Sequence, residues 1–172
     1  MTAPAGREDP YRSAVYAAES DALPDGGRRF RRFADVEAFV RDALADPWWE
    51  ERFPDAPVQV DVLRRSRSAT FSAAHVDARG WDAVIWLRDG SWDALTVVHE
   101  LAHVAVSGPG PGRAPAAGHR SPAHGPVFVD APADLWRRRL GVHAYGALLG
   151  ALVDHGVPYQ RARRAGTGSS GA

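Results

Sequence analysis

The chain is organised around residues 95–106, which read Leu95-Thr96-Val97-Val98-His99-Glu100-Leu101-Ala102-His103-Val104-Ala105-Val106. This stretch is an apolar run around an H-E-x-x-H motif and contains neither Pro nor Gly, so it predicts a helix. Residues four apart lie on one helix face, so His99 and His103 can point their imidazoles at one metal ion. Glu100, offset by roughly 100° around the axis, can stand beside that ion as a proton acceptor.

The motif is short, and two ordinary histidines on a half-buried helix are the alternative interpretation. Two features of the surrounding sequence favour a metal site. Ser91 is suited to cap a helix that begins about two turns before His99. Downstream, the segment His-Gly-Pro-Val-Phe from His124 to Phe128 offers a third ligand.

A catalytic zinc ion normally has three protein ligands and one water molecule. His124 is the predicted third ligand, because it begins a helical stretch that can hold its side chain in place. The competitors are His119, which lies in a segment rich in Gly and Pro, and a carboxylate such as Asp130 or Asp134. Because the chain has no cysteine, thiolate ligands, thiol nucleophiles and disulfides are excluded.

The amino-acid composition is typical of a globular protein, and neither positive nor negative residues are in excess. Its 172 residues are enough for one domain with a real core, and its formal net charge is zero. No global field therefore attracts nucleic acid or an acidic membrane. The cluster Arg28, Arg29, Arg31 and Arg32 around Phe30 is expected to be a solvated face rather than a nucleic-acid contact. With no apolar signal segment and no apolar run of membrane-spanning length, the expected location is the cytoplasm.

Periodicity and turn residues predict an α+β fold in which a short mixed sheet of about three to four strands is followed by the H-E-x-x-H helix and C-terminal helices. Residues 11–160 form the expected single domain, between a disordered lead-in at 1–10 and a disordered tail at 161–172. A flexible loop is expected over residues 107–122. The expected elements are a strand (or a helical turn) over 12–19, a helix over 34–45, strands over 58–63, 69–76 and 83–87, and, from residue 126, two helices broken near Gly141.

The two motifs, His-Glu-Leu-Ala-His and His-Gly-Pro-x-Phe, resemble those of SprT-like zincin metalloproteases. They resemble still more those of a set of small actinobacterial metallohydrolases, uncharacterised as a group, whose N-terminal Arg-x-x-Val-Tyr-x-x-Glu segment matches Arg12 to Glu19. This resemblance implies a small zincin-like domain with His99, His103 and His124 as Zn²⁺ ligands and Glu100 as the catalytic acid and base. It also implies that the strand before the metal helix, residues 83–87, lies at the cleft edge and pairs with an extended substrate.

The expected function is therefore that of a zinc-dependent hydrolase, a metallopeptidase acting on a peptide or protein. Glu100 would take a proton from a zinc-activated water and return it to the leaving amine. Candidate donors for the developing oxyanion are Tyr145, His143, His119 and Arg120. Two alternatives remain open: a non-catalytic binding module in which zinc has a fourth protein ligand, and a hydrolase of a non-peptide amide. A purely structural site has no need of Glu100, which favours an enzyme.

Overall fold

Six α-helices and three strands make up the part of the chain that the computed structural model describes, residues 9–77, 80–107 and 124–159. The fold is therefore α+β, as the sequence predicts. The elements in chain order are α1 Arg12–Ala22, α2 Phe33–Leu44, α3 Pro47–Arg52, β1 Gln59–Arg65, β2 Ala73–Val76, β3 Asp82–Arg88, α4 Ala94–Ser107, α5 Pro126–Leu135, a π-helical turn Trp136–Leu140 and α6 Val142–Asp154.

The three strands form one mixed sheet in the order β1-β3-β2. β3 is parallel to β1, with Ile85 opposite Val62, and antiparallel to β2, with Ile85 opposite Ala74. Alternate side chains of β3 are buried, which is the pattern of a strand with one face on the core. The expectation that the strand before the metal helix binds substrate is wrong, because β3 already has a neighbour on each side. β2 is instead an edge strand of this sheet.

The N-terminal segment forms helix α1, so the preference for a strand over residues 12–19 is wrong. Val15, Ala18 and Glu19 are buried on one face, at the spacing of a helix. This face packs against α6, the last helix of the fold. An Ala-rich segment is compatible with a helix, and the long-range contact with α6 decides its structure.

Helix α4 carries both motif histidines and lies in the centre of the core, where Val97, Val98 and Leu101 are fully buried. Its N-cap is Asp93, whose Oδ1 accepts a hydrogen bond from the backbone N–H of Thr96 at 2.8 Å, so the prediction of Ser91 as the cap is wrong.

The loop before α2 supplies further partners for the first turn of α4. The carbonyl of Arg28 accepts from the N–H of Ala94 at 2.9 Å, and that of Gly26 accepts from Leu95 at 3.1 Å. Gly26 has φ +72°, and a Cβ there would lie 3.0 Å from the Asp93 carboxyl carbon. The start of α4 is thus held by the backbone of a loop that requires glycine.

The remaining predicted elements are confirmed with shifted ends. The helix over 34–45 is α2, the strands over 58–63 and 83–87 are β1 and β3, and only the last four residues of the segment 69–76 form β2. The break near Gly141 is confirmed: this residue has φ +96° and separates the π-helical turn from α6. Of the proposed loop 107–122, residues 108–122 lie outside the described ranges. No helix within those ranges has both the length and the apolar character needed to cross a bilayer.

Candidate metal centre

Three histidines from two segments meet at one point in the core. His99 and His103 lie on α4, and His124 lies immediately before α5. One ring nitrogen of each lies within 4.8 Å of the others, and the Nε2 atoms of His99 and His124 are 3.3 Å apart. Within the described residues this is the one group of three or more His, Cys, Asp or Glu placed to hold a metal ion. The three predicted ligands are therefore brought together, and together they could hold a metal ion.

The aromatic ring of Phe128 explains the last position of the His-Gly-Pro-x-Phe motif. Phe128 is buried on the first turn of α5, which packs against α4. Its ring centroid lies 4.3 Å from that of His103, 4.8 Å from that of His124 and 5.3 Å from that of His99. Phe128 thus packs against all three imidazoles and limits their rotation.

Two carboxylates orient the buried imidazoles. Glu19 Oε2 is 2.8 Å from Nδ1 of His99, and Asp9 Oδ2 is 2.6 Å from Nδ1 of His124. Asp9 Oδ2 also accepts from the backbone N–H of His124 at 3.0 Å. An imidazole that donates from Nδ1 to a carboxylate presents the lone pair of Nε2, here toward the other histidines. This is the arrangement that a metal ligand needs.

Sequence reasoning missed both of these carboxylates. Asp9 falls within the segment 1–10 for which the sequence predicts disorder, and it lies far from His124 along the chain. Glu19 belongs to the Arg-x-x-Val-Tyr-x-x-Glu segment that supports the family resemblance. That segment is the only signal in the sequence that could have pointed to it.

The protonation preferences of the three histidines follow from burial and from their neighbours. Burial, with the positive charges of His99, His124 and Arg12, lowers the pKa of His103 to about 2. Burial also lowers the pKa of His124, against the opposing effect of Asp9. For His99, burial favours the neutral form, but the charge and hydrogen bond of Glu19 outweigh it and raise the pKa. His103 is therefore neutral at physiological pH, as a metal ligand must be.

Glu100 is buried beside His99 and makes no hydrogen bond or ion pair to the described part of the chain. Its exposed fraction is 3%, and burial raises its pKa to about 7, against the opposing charge of His99 and with a smaller contribution from the charge of Glu19. A carboxyl group with such a pKa can both accept and donate a proton near neutral pH.

A cleft of about 500 Å³ opens beside His99 and Glu100. It lies between α1, the segment before β2 and the first turns of α4. The ring of Tyr16 stacks on that of His99, with centroids 4.7 Å apart and an interplanar angle of 27°. Burial and the charge of Glu100 raise the pKa of Tyr16, so its hydroxyl keeps its proton. Tyr16 was not among the predicted oxyanion donors, because its segment was assigned to a strand.

Neither of the two predicted donors that the structure describes belongs to the cleft wall. Tyr145 and His143 lie on α6 and do not line the cleft, whereas His119 and Arg120 lie outside the described residues. Among the competitors for the third ligand, His119 likewise lies outside them. Asp134 is bound by Arg52, whose Nε is 2.6 Å from its Oδ2, and does not belong to the histidine group.

Three arginines of the basic cluster before α2 contact other residues of the chain. Arg32 pairs with Asp35 at 2.7 Å, Arg29 donates to the carbonyl of Gly90 at 3.1 Å, and Arg28 lies 5.0 Å from the ring centre of Phe30.

Comparison of the chain with models of protein families, with curated proteins and with solved structures found no significant match.

Glu19→Gln is expected to lower the affinity for Zn²⁺ by about 10- to 100-fold, because the neutral amide holds His99 less firmly than the carboxylate does. Competition with a chromophoric chelator measures this affinity. The control is Glu37→Gln, an exposed carboxylate on α2. Equal zinc affinities of wild type and Glu19→Gln would show that Glu19 does not help to hold His99 in position.

Proposed function

We propose that this protein is a zinc-dependent hydrolase, and specifically a metallopeptidase with a zincin-like domain. The observation that carries the proposal is the group His99, His103 and His124, with ring nitrogens within 4.8 Å of one another and with buried Glu100 on the same helix. The adjacent cleft gives a substrate access to Glu100. This arrangement matches the H-E-x-x-H chemistry that the sequence predicts.

The donor set fits zinc. Three imidazole nitrogens, two of them oriented by carboxylates, are a common ligand set for a catalytic zinc ion, which retains one open position. Zn²⁺ in such a site supplies a Lewis acid that polarises a carbonyl group and lowers the pKa of water. The group contains no fourth protein ligand among the described residues, which favours an enzyme over a non-catalytic zinc module.

Each residue of the centre has a role in the proposed reaction. Glu100 accepts a proton from the attacking water and delivers it to the leaving amine, a role for which its place beside His99 in the wall of the cleft suits it. Tyr16 donates a hydrogen bond from its hydroxyl to the carbonyl oxygen as negative charge develops there. Glu19 and Asp9 keep His99 and His124 in position.

The edge strand β2 is suited to bind an extended peptide. One side of β2 is paired with β3, and Phe71 and Ser72, just before β2, line the cleft. Main-chain hydrogen bonds to such an edge align a peptide without demanding a particular side chain. A peptide is therefore favoured over a small non-peptide amide as the substrate.

The proposal is tested by incubating the zinc-loaded protein with a mixed peptide library and identifying the products by mass spectrometry. We expect cleavage that a chelator abolishes and that added zinc restores. A tightly bound zinc ion with four protein ligands, together with an uncleaved library, would instead identify a binding module.

Tyr16→Phe is expected to reduce kcat by about 10²–10³-fold, because loss of one oxyanion donor has an effect of this size. The ring that packs on His99 is kept, so KM and zinc affinity should change little. Tyr145→Phe on α6, away from the cleft, is the matched control. If both variants retain wild-type kcat, the hydroxyl of Tyr16 does not act on the transition state.

A further inference from the structure

Arg12 places a positive charge in the wall of the cleft that contains His99 and Glu100. It lies on α1 one turn before Tyr16. Its guanidinium carbon is 5.8 Å from the ring centre of Tyr16 and 5.5 Å from that of Phe71. Contact with two aromatic rings restricts the guanidinium, whose charge and side-chain hydrogen bond also act on the hydroxyl of Tyr16. A guanidinium carries five N–H donors, so one bond to Tyr16 leaves others for a second acceptor.

Among the residues that the structure describes, no carboxylate forms a salt bridge with Arg12. Other arginines of the fold, such as Arg64 and Arg138, form salt bridges with aspartates at 3.1 and 2.8 Å. Arg12 forms none within the described ranges. Two carboxylates line the same cleft, but neither forms an ion pair with Arg12. Glu19 pairs with His99, and Glu100 is buried on α4.

We infer that Arg12 binds a carboxylate of the substrate, so that the cleft accepts a peptide with an anionic group close to the bond that is cleaved. A planar guanidinium can hold a carboxylate through two parallel hydrogen bonds. The carboxylate is either the C-terminus of a peptide or the side chain of an acidic residue. That a bond near this carboxylate is cleaved rests on the proposed function. The binding of the carboxylate itself can be measured without turnover.

The test is a calorimetric titration of the full chain carrying Glu100→Gln, which prevents cleavage during the measurement. The probes are N-acetylated tetra-alanine with a free carboxylate, the same peptide as its C-terminal amide, and an amidated variant with one internal Glu. We expect at least one carboxylate probe to bind about tenfold or more tightly than the neutral amide, as is typical of a charge-assisted hydrogen bond. The probe that is preferred identifies the source of the carboxylate.

Arg12→Gln in the same background should remove this preference, and Arg12→Lys should retain part of it. Arg67→Gln is the control, since Arg67 is exposed and lines a different cavity. Equal binding of all probes, no binding of any probe, or a preference that survives Arg12→Gln would overturn the inference. A carboxylate preference in a chain whose wild type cleaves no peptide would contradict the proposed function alone. Cleavage without that preference would contradict only the role of Arg12.

Discussion

Glu100→Gln is expected to reduce peptide hydrolysis by about 10²–10⁴-fold while leaving zinc bound, because it removes the carboxyl group that is proposed to accept and return the proton. The amide has nearly the same shape as the carboxyl group. The side chain is buried, and its charged form is disfavoured there, so the substitution should not lower the free energy of unfolding. The expected result is thus an intact metal centre with almost no turnover.

The measurement combines kcat with the zinc content of the same sample, determined by elemental analysis. Glu51→Gln, an exposed carboxylate on α3, is the control and should behave as wild type. Turnover at the wild-type rate in Glu100→Gln would remove Glu100 from the mechanism. Loss of zinc would make it a determinant of metal binding.

His124→Ala is expected to weaken zinc binding by more than about 100-fold. Removing only the hydrogen-bond partner of a ligand weakens it by roughly 10- to 100-fold, and His124→Ala removes the ligand itself. It deletes one of three nitrogens and leaves His99 and His103 as an incomplete set. It also leaves the carboxylate of Asp9 without the Nδ1 that lies 2.6 Å from it. Hydrolysis should be lost with the metal.

A chelator competition on wild type and His124→Ala measures this effect, with circular dichroism to confirm that the variant is folded. His75→Ala is the matched control, because His75 is exposed on β2. Wild-type affinity in His124→Ala would mean that another residue provides the third ligand, and His119 would then be the next to replace.

The sequence predicts those residues of the site whose positions follow from the geometry of a single helix or of a short segment. The spacing of His99 and His103 on an uninterrupted apolar run fixes their common face on α4. His124 could be selected because it precedes a helical segment. In each case, neighbouring residues in the chain carry the information.

The part that could not be predicted depends on contacts between distant segments. Arg12, Tyr16 and Glu19 share one face of α1, and this face is recognisable only once the segment is known to be a helix. That helix is decided by packing against α6 at the other end of the chain. The partnership of Asp9 with His124 likewise joins residues that no local pattern connects.

Zinc K-edge X-ray absorption of the protein loaded with one equivalent of zinc tests whether the three histidines form an open metal centre. We expect three imidazole ligands at about 2.0–2.1 Å and one further light-atom ligand that added small anions can displace. Fewer than three imidazoles, a fourth protein ligand that cannot be displaced, or failure to bind stoichiometric zinc would contradict an open three-histidine centre.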